Sequence, residues 1–154
     1  MENVQGHEMG REKREPSQQR RQHRTNEFYH RASEAMGLPR DSGRNVAQSI
    51  LRNVVKRVTP EEAKHLIAQL PQGLQEDCLT FADGPQKSVT AEKIKRDILN
   101  ASDIEGMDPA SCARVFWHFL SSWLNEEENK GETQDILGQL PSDIRELFTS
   151  DIKH

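Results

Sequence analysis

The sequence is poor in cysteine and in aromatic residues, with two cysteines, five phenylalanines, two tryptophans and one tyrosine among 154 residues. Two cysteines far apart, Cys78 and Cys112, cannot form a disulfide framework. Each falls at an apolar-periodic position, so both are expected as buried free thiols in a reducing compartment. Long hydrophobic runs are missing too, and nothing approaches the roughly 20 apolar residues that span a bilayer. The opening Met1-Glu2-Asn3-Val4 carries an acid and leads into no apolar segment, which argues against a secretory signal. Charge of one sign is also lacking: the net value of −4 suits neither a nucleic-acid coat nor a membrane-surface binder. A cytoplasmic location with no membrane contact follows as the expectation.

The apolar fraction of 33% is low for a folded domain. Much of the shortfall lies in residues 1–24, where Gln, Arg, Glu, Lys and His dominate. Such a segment cannot bury enough surface to offset its ordering entropy, so a disordered basic and polar tail is expected. Its run Gln18-Gln19-Arg20-Arg21-Gln22-His23-Arg24 is basic, but Glu8, Glu12 and Glu15 dilute the field and no aromatic is interleaved to stack on bases. Nucleic acid is therefore disfavoured as a partner.

What the chain does have is helical periodicity and a phrase used twice, Ala68-Gln69-Leu70-Pro71 and Gly138-Gln139-Leu140-Pro141. A first helix is predicted from a cap at Thr25 or Asn26 to Met36, stopped by Gly37 and Pro39. After a restart at Asp41 or Ser42, Val46, Ala47, Ile50, Leu51, Val54, Val55 and Val58 recur every three or four residues, with Arg44, Gln48, Arg52, Lys56 and Arg57 on the wet side. Thr59-Pro60-Glu61-Glu62 then reads as a capping box: Thr59 caps, Pro60 fills the first helical position, and Glu62 reaches back. Ala63, Leu66, Ile67 and Leu70 continue to Pro71, which breaks the hydrogen-bond ladder. Leu74, Cys78 and Phe81 mark a short helix before Gly84-Pro85.

The second half repeats this plan. Val89-Thr90 opens a helix carrying Ile94 and Ile98. Asp108-Pro109 opens a long one through Cys112, Val115, Phe116, Phe119, Leu120, Trp123 and Leu124. Beyond the acidic Glu126-Glu127-Glu128, Thr133, Ile136, Leu137 and Leu140 lead to Pro141, then Ile144, Leu147 and Phe148. An offset of 70 places Gln69 on Gln139, Leu66 on Ile136, Leu74 on Ile144 and Cys78 on Phe148, while an offset of 66 places Ile50 on Phe116 and Val54 on Leu120. A loop insertion of four residues separates the two registers, which a duplicated fold tolerates. The expected fold is an all-α helical bundle of two related multi-helix repeats, 25–84 and 85–154, packed as one domain.

With these residues in view the chain resembles the DUF2267 family, whose members have no assigned function. The resemblance rests on the long helix Ala47…Ile50-Leu51-Arg52…Val58, the opening Pro60-Glu61-Glu62-Ala63, and His65-Leu66-Ile67-Ala68-Gln69-Leu70-Pro71. It covers roughly residues 25–150 and is strongest over 44–74. Members commonly follow the phrase with an aromatic-rich stretch ending in Gly-Trp, where this chain has Glu76-Asp77-Cys78-Leu79-Thr80-Phe81. The family supplies fold and no catalytic residues.

No constellation of catalytic, cofactor-binding or metal-ligating residues is evident. His65, three residues after Glu62 and four before Gln69, reads as a solvated or capping histidine, because His-x-x-x-Gln is not a ligand spacing. His30 and His118 fall inside helices, and no two histidines stand at a spacing that presents both to one ion. Gln69 and Gln139 are expected to satisfy carbonyls freed by the following prolines. Cys78, beside Glu76 and Asp77, is a poor nucleophile, and Cys112 aligns with core Val46. Trp117 belongs either to the core edge or to an interface. The leading expectation is a non-catalytic protein-interaction or scaffolding domain with another protein as partner. A small-molecule or nucleic-acid-binding regulator is the alternative, and an enzyme the last.

Overall fold

The computed structural model describes residues 16–126 and 131–150. Among these residues there are eight helices and no strand: α1 (Pro16–Met36), α2 (Arg40–Arg57), α3 (Pro60–Ile67), α4 (Gln72–Thr80), α5 (Ala91–Ser102), α6 (Pro109–Glu126), α7 (Glu132–Gln139) and α8 (Ser142–Thr149). None of them is long and apolar enough to cross a membrane.

The helix ends follow from sequence. Thr59 Oγ1 accepts from Glu62 N at 3.2 Å, with Pro60 in the first turn, and such a cap stabilises by about 1 kcal/mol. Thr90 caps α5 through Lys93 N, and Asp108 Oδ1 receives Ala110 N. Gly37 ends α1 in the left-handed region at φ 69°. Two starts differ from expectation. Helix α1 begins at Pro16 rather than Thr25, so residues 16–24 of the expected tail are helical, and residues 1–15 lie outside the described residues. Thr25 cannot cap, because its hydroxyl accepts from Gly73 N, and Arg24, one residue earlier in the helix, lies 4.2 Å over the Trp123 ring. Helix α2 starts at Arg40 behind Pro39, with no side-chain cap.

One core joins all eight helices. Every apolar position assigned to α2 is buried, as are Phe116, Phe119, Leu120, Trp123 and Leu124 of α6. Phe28 of α1 is its centre, edge-on to Phe119 and Trp123 with centroids 5.1 Å away in each case. Truncating such a ring costs roughly 3–5 kcal/mol. Helices α1 and α2 pack closely, and at Gly43 an added Cβ would collide with the Ser33 side chain. Helix α2 also packs on α5, and α6 on α1 and α8. Helix α3 packs on α2 and α7 on α6, and α3 and α7, distant in sequence, meet through His65 with Glu132 and Glu62 with Gln139.

Candidate functional site

Each Gln-Leu-Pro phrase is a forced junction between two short helices. The proline removes an amide donor, so carbonyls in the preceding turn must find other partners. At the first junction Gln75 Nε2 donates to Leu70 O at 2.9 Å, and Gln69 Nε2 donates to His65 O at 2.9 Å. At the second, Arg145 Nη1 donates to Leu140 O at 2.8 Å and Leu137 O at 3.3 Å. Gln69 thus has the structural role expected of it. Gln139 does not stay at its own junction. Its Oε1 accepts from Thr59 N at 3.2 Å and Thr59 Oγ1 at 3.4 Å, and its Nε2 donates to Glu62 Oε1 at 3.4 Å. The amide that Glu62 would take in a capping box is therefore held by Gln139, and the Glu62 carboxylate points elsewhere.

It points toward His65 and Glu132. Glu132 opens α7, and its side chain is only 3% exposed. Its Oε1 lies 2.9 Å from His65 Nδ1 and accepts from Gln69 Nε2 at 3.3 Å. Glu62 Oε2 lies 3.9 Å from the same His65 nitrogen. The three donor atoms fall within 4.8 Å of one another. Glu132 Oε2, Glu62 Oε2 and Gln69 Oε1 are all buried with no hydrogen-bond partner. Burial and then the facing Glu62 carboxyl hold the Glu132 acid above its ordinary pKa, against the pull of the Gln69 amide and of His65. An open recess of about 520 Å³, lined by Thr59, Glu61, Lys64, His65, Ala68 and Gln139, leads to the cluster. Chemically this is a convergence of acceptors, suited to a shared proton or a cation.

A second polar locus is the groove of about 400 Å³ between α2 and α5, lined by Asn45, Gln48, Ser49, Lys56 and Asn100 among others. Arg52 forms a two-pronged bridge to Asp77 at 2.8 and 2.9 Å, and its guanidinium lies 5.4 Å over Phe81. Deeper, Asp97 Oδ2 receives Lys93 Nζ at 2.7 Å and Asn53 Nδ2 at 3.0 Å. Burial works against the Asp97 charge, but those two donors outweigh it and hold its pKa below the ordinary range. Ser49 Oγ is buried in the groove wall without a partner.

Residues 25–147 match the family model described as an uncharacterized conserved protein, DUF2267. The chain belongs to the DUF2267 family. The matched span contains Glu62, His65, Gln69, Glu132 and Gln139. None of the curated proteins matches the chain.

The remaining candidates in this DUF2267 domain are accounted for locally. Both cysteines are buried and free. Burial, with Asp77 adding to it, pushes the Cys78 thiol up to about 12, and burial with Asp108 pushes Cys112 up to about 11. Trp117 is buried, stacked on Phe148 at 4.5 Å, so the interface alternative fails for this residue. His30 is exposed beside Glu34, and His118 is exposed. Glu126 holds Arg31 at 3.0 and 3.2 Å, while Glu127 and Glu128 lie outside the described residues. The basic residues of α2 are partly committed, Arg52 to Asp77 and Arg44 over the Tyr29 ring.

Sequence reasoning weighed His65, Glu62 and the two glutamines but missed Glu132. The signal was present: Glu62 and Glu132 stand 70 residues apart, the same offset as Gln69 and Gln139.

Proposed function

We propose that this domain is a non-catalytic protein-interaction module, built from two related four-helix units and docking a polar segment of another protein in the α2–α5 groove. The duplication has support in matched contacts. Helix α2 packs on α5 as α6 packs on α1, and α1 on α4 as α5 on α8. Gln75 serves Leu70 as Arg145 serves Leu140, each pair shifted by 70. Gly37 and Asp103, 66 apart, both adopt left-handed backbone. Gln69 reaches Glu132 and Gln139 reaches Glu62, a reciprocal exchange across the proposed unit boundary.

The groove carries the interaction reading. Its walls offer the side-chain amides of Asn45, Gln48 and Asn100, the unpartnered Ser49 hydroxyl, and Phe81 flanked by Arg52 and Lys56. Adaptable polar groups around an aromatic match the makeup of a protein-binding rim better than that of an enclosed, mainly apolar ligand pocket. Two buried, unpaired thiols favour a reducing, cytoplasmic setting.

The experiment is affinity capture from native extract with the full chain, with Asn45→Trp and Asn100→Trp at exposed groove positions, and with Glu146→Ala as a distant control. A partner retained by the wild type and the control but lost from both groove variants supports the reading. Capture that ignores the groove variants overturns it, as does native mass spectrometry showing a small molecule there. Removal of residues 1–15 tests the tail without disturbing Arg24 on Trp123.

A further inference from the structure

We propose that Glu62, His65 and Glu132 form a binding site for a divalent metal ion of the zinc class, clamping α3 to α7. This goes beyond the interaction reading and stands independently of it. Glu62 and His65 are three apart on α3, so both face one side of the helix, and Glu-x-x-His is a spacing used by metal sites in helical bundles. Glu132 comes from the second half of the chain and closes the set. Zinc bonds of about 2.0–2.2 Å to carboxylate and imidazole place neighbouring ligands roughly 3.4 Å apart in a tetrahedron. The contacts of His65 Nδ1, 2.9 Å to Glu132 Oε1 and 3.9 Å to Glu62 Oε2, straddle that spacing, and a Glu132 carboxylate turned edge-on to the ion brings its unpartnered Oε2 to it as well. Small side-chain adjustments complete the geometry.

The independent observation is the orphaned oxygens. Exposed acidic clusters need no ion, but here the Glu132 side chain is only 3% exposed, its Oε2 receives no N–H or hydroxyl, and the group facing it is the Glu62 carboxyl. Glu62 Oε2 is also buried and unpartnered. Buried carboxylate oxygens without donors are costly; a single proton shared between the two carboxyls relieves that only in part, and a cation satisfies both at once. The Gln69 amide on Glu132 Oε1 is placed as the outer-shell group that orients a ligating carboxylate. His65, 65% exposed at the side chain, stands at the recess, where water completes the coordination. One imidazole with two carboxylates suits zinc better than calcium or magnesium, which favour all-oxygen shells.

The test is calorimetric titration of the full, tag-free chain with zinc chloride, paired with thermal unfolding. One ion per chain is expected, with Kd tighter than about 100 μM and at least about tenfold weaker binding in His65→Ala and in Glu132→Gln. At about a hundredfold excess over Kd, zinc is expected to raise the wild-type Tm by about 5 °C and to leave those variants nearly unmoved. His65 is exposed, so its variant keeps the fold, which helical circular dichroism checks. His118→Ala controls for surface histidines and is expected to bind as wild type. Weaker wild-type binding, equal binding in His65→Ala, or an equal loss in His118→Ala overturns the proposal.

Discussion

Asp97 and Glu132 are both carboxylates drawn into contacts between the two halves of the chain, and their surroundings differ in what faces them. Asp97 meets an ammonium and an amide, Lys93 and Asn53, and its pKa lies below the ordinary range. Glu132 is more deeply buried and meets a second acid, Glu62, beside the Gln69 amide and His65; burial and that acid win, and its pKa lies above the ordinary range. The first cluster is closed: the acid is matched by donors, and Asn53 locks it to Ser49 O as well. The second is left with unpartnered acceptors. A satisfied buried network rigidifies a fold, whereas a half-satisfied one costs stability and persists where something completes it. That contrast assigns Asp97 to structure and makes the Glu132 end the place to look for a bound ion.

Breaking the closed cluster is expected to have the largest effect. Asn53→Ala removes a nearly fully buried amide that bridges α2 to Asp97 and receives Lys93. A loss of about 2 kcal/mol is expected in urea unfolding, since a charged partner is left under-bonded in a semi-buried site. A loss below about 0.5 kcal/mol would show that the cluster is not closed in the sense argued. Glu132→Gln, measured at pH 8 with a chelator present, should do the reverse. It replaces an acid facing another acid with a neutral amide that can donate to Glu62, and stability is expected to hold or rise by up to about 1 kcal/mol. A drop of more than about 1 kcal/mol would place Glu132 in the same class as Asp97.

Gln139→Ala tests the crossing contact between these ends. It removes the acceptor for Thr59 N and the donor to Glu62. Those contacts are exposed, so a cost of roughly 0.5–1 kcal/mol is expected. In the same variant Glu62 regains access to the Thr59 amide and the capping box forms, which a Glu62→Ala, Gln139→Ala double-mutant cycle detects as coupling. Additive effects would mean that the two residues do not exchange that amide.

Helices, caps and core were readable because their causes are local. The spacing of Val46 to Val58 buries one face of α2 whatever it packs against, and Thr59-Pro60 caps within its own turn. The start of α1 was not readable, because the Arg24 stack on Trp123 and the Gly73 bond to Thr25 join residues far apart in the chain. The same limit hid the Glu62–His65–Glu132 cluster. His65 looks like a surface histidine on α3 alone, and only the approach of α7 supplies its partner. The doubled Gln-Leu-Pro phrase held the hint, since the offset that relates the glutamines also relates the two acids they contact.

The smallest effect separates the clusters most cleanly, because it differs in sign. Asp97 has a lowered folded pKa, so the unfolded chain binds its proton more tightly. Its contribution is present above the ordinary carboxyl pKa of about 4 and is lost as pH falls through the lowered folded value. Glu132 has a raised folded pKa, so the folded chain holds its proton more tightly. Its contribution is present below the ordinary value and is lost as pH rises through the raised one. Unfolding free energies measured from pH 3 to pH 8 with chelator should therefore change in opposite ways. Asp97→Asn flattens the acid limb and leaves the slope above it alone. Glu132→Gln removes a downward slope on the side toward neutral pH and leaves the acid limb alone. If both variants altered the same limb in the same direction, the two carboxylates would share one electrostatic role, and the reason for singling out Glu132 as the open end of the bundle would be gone.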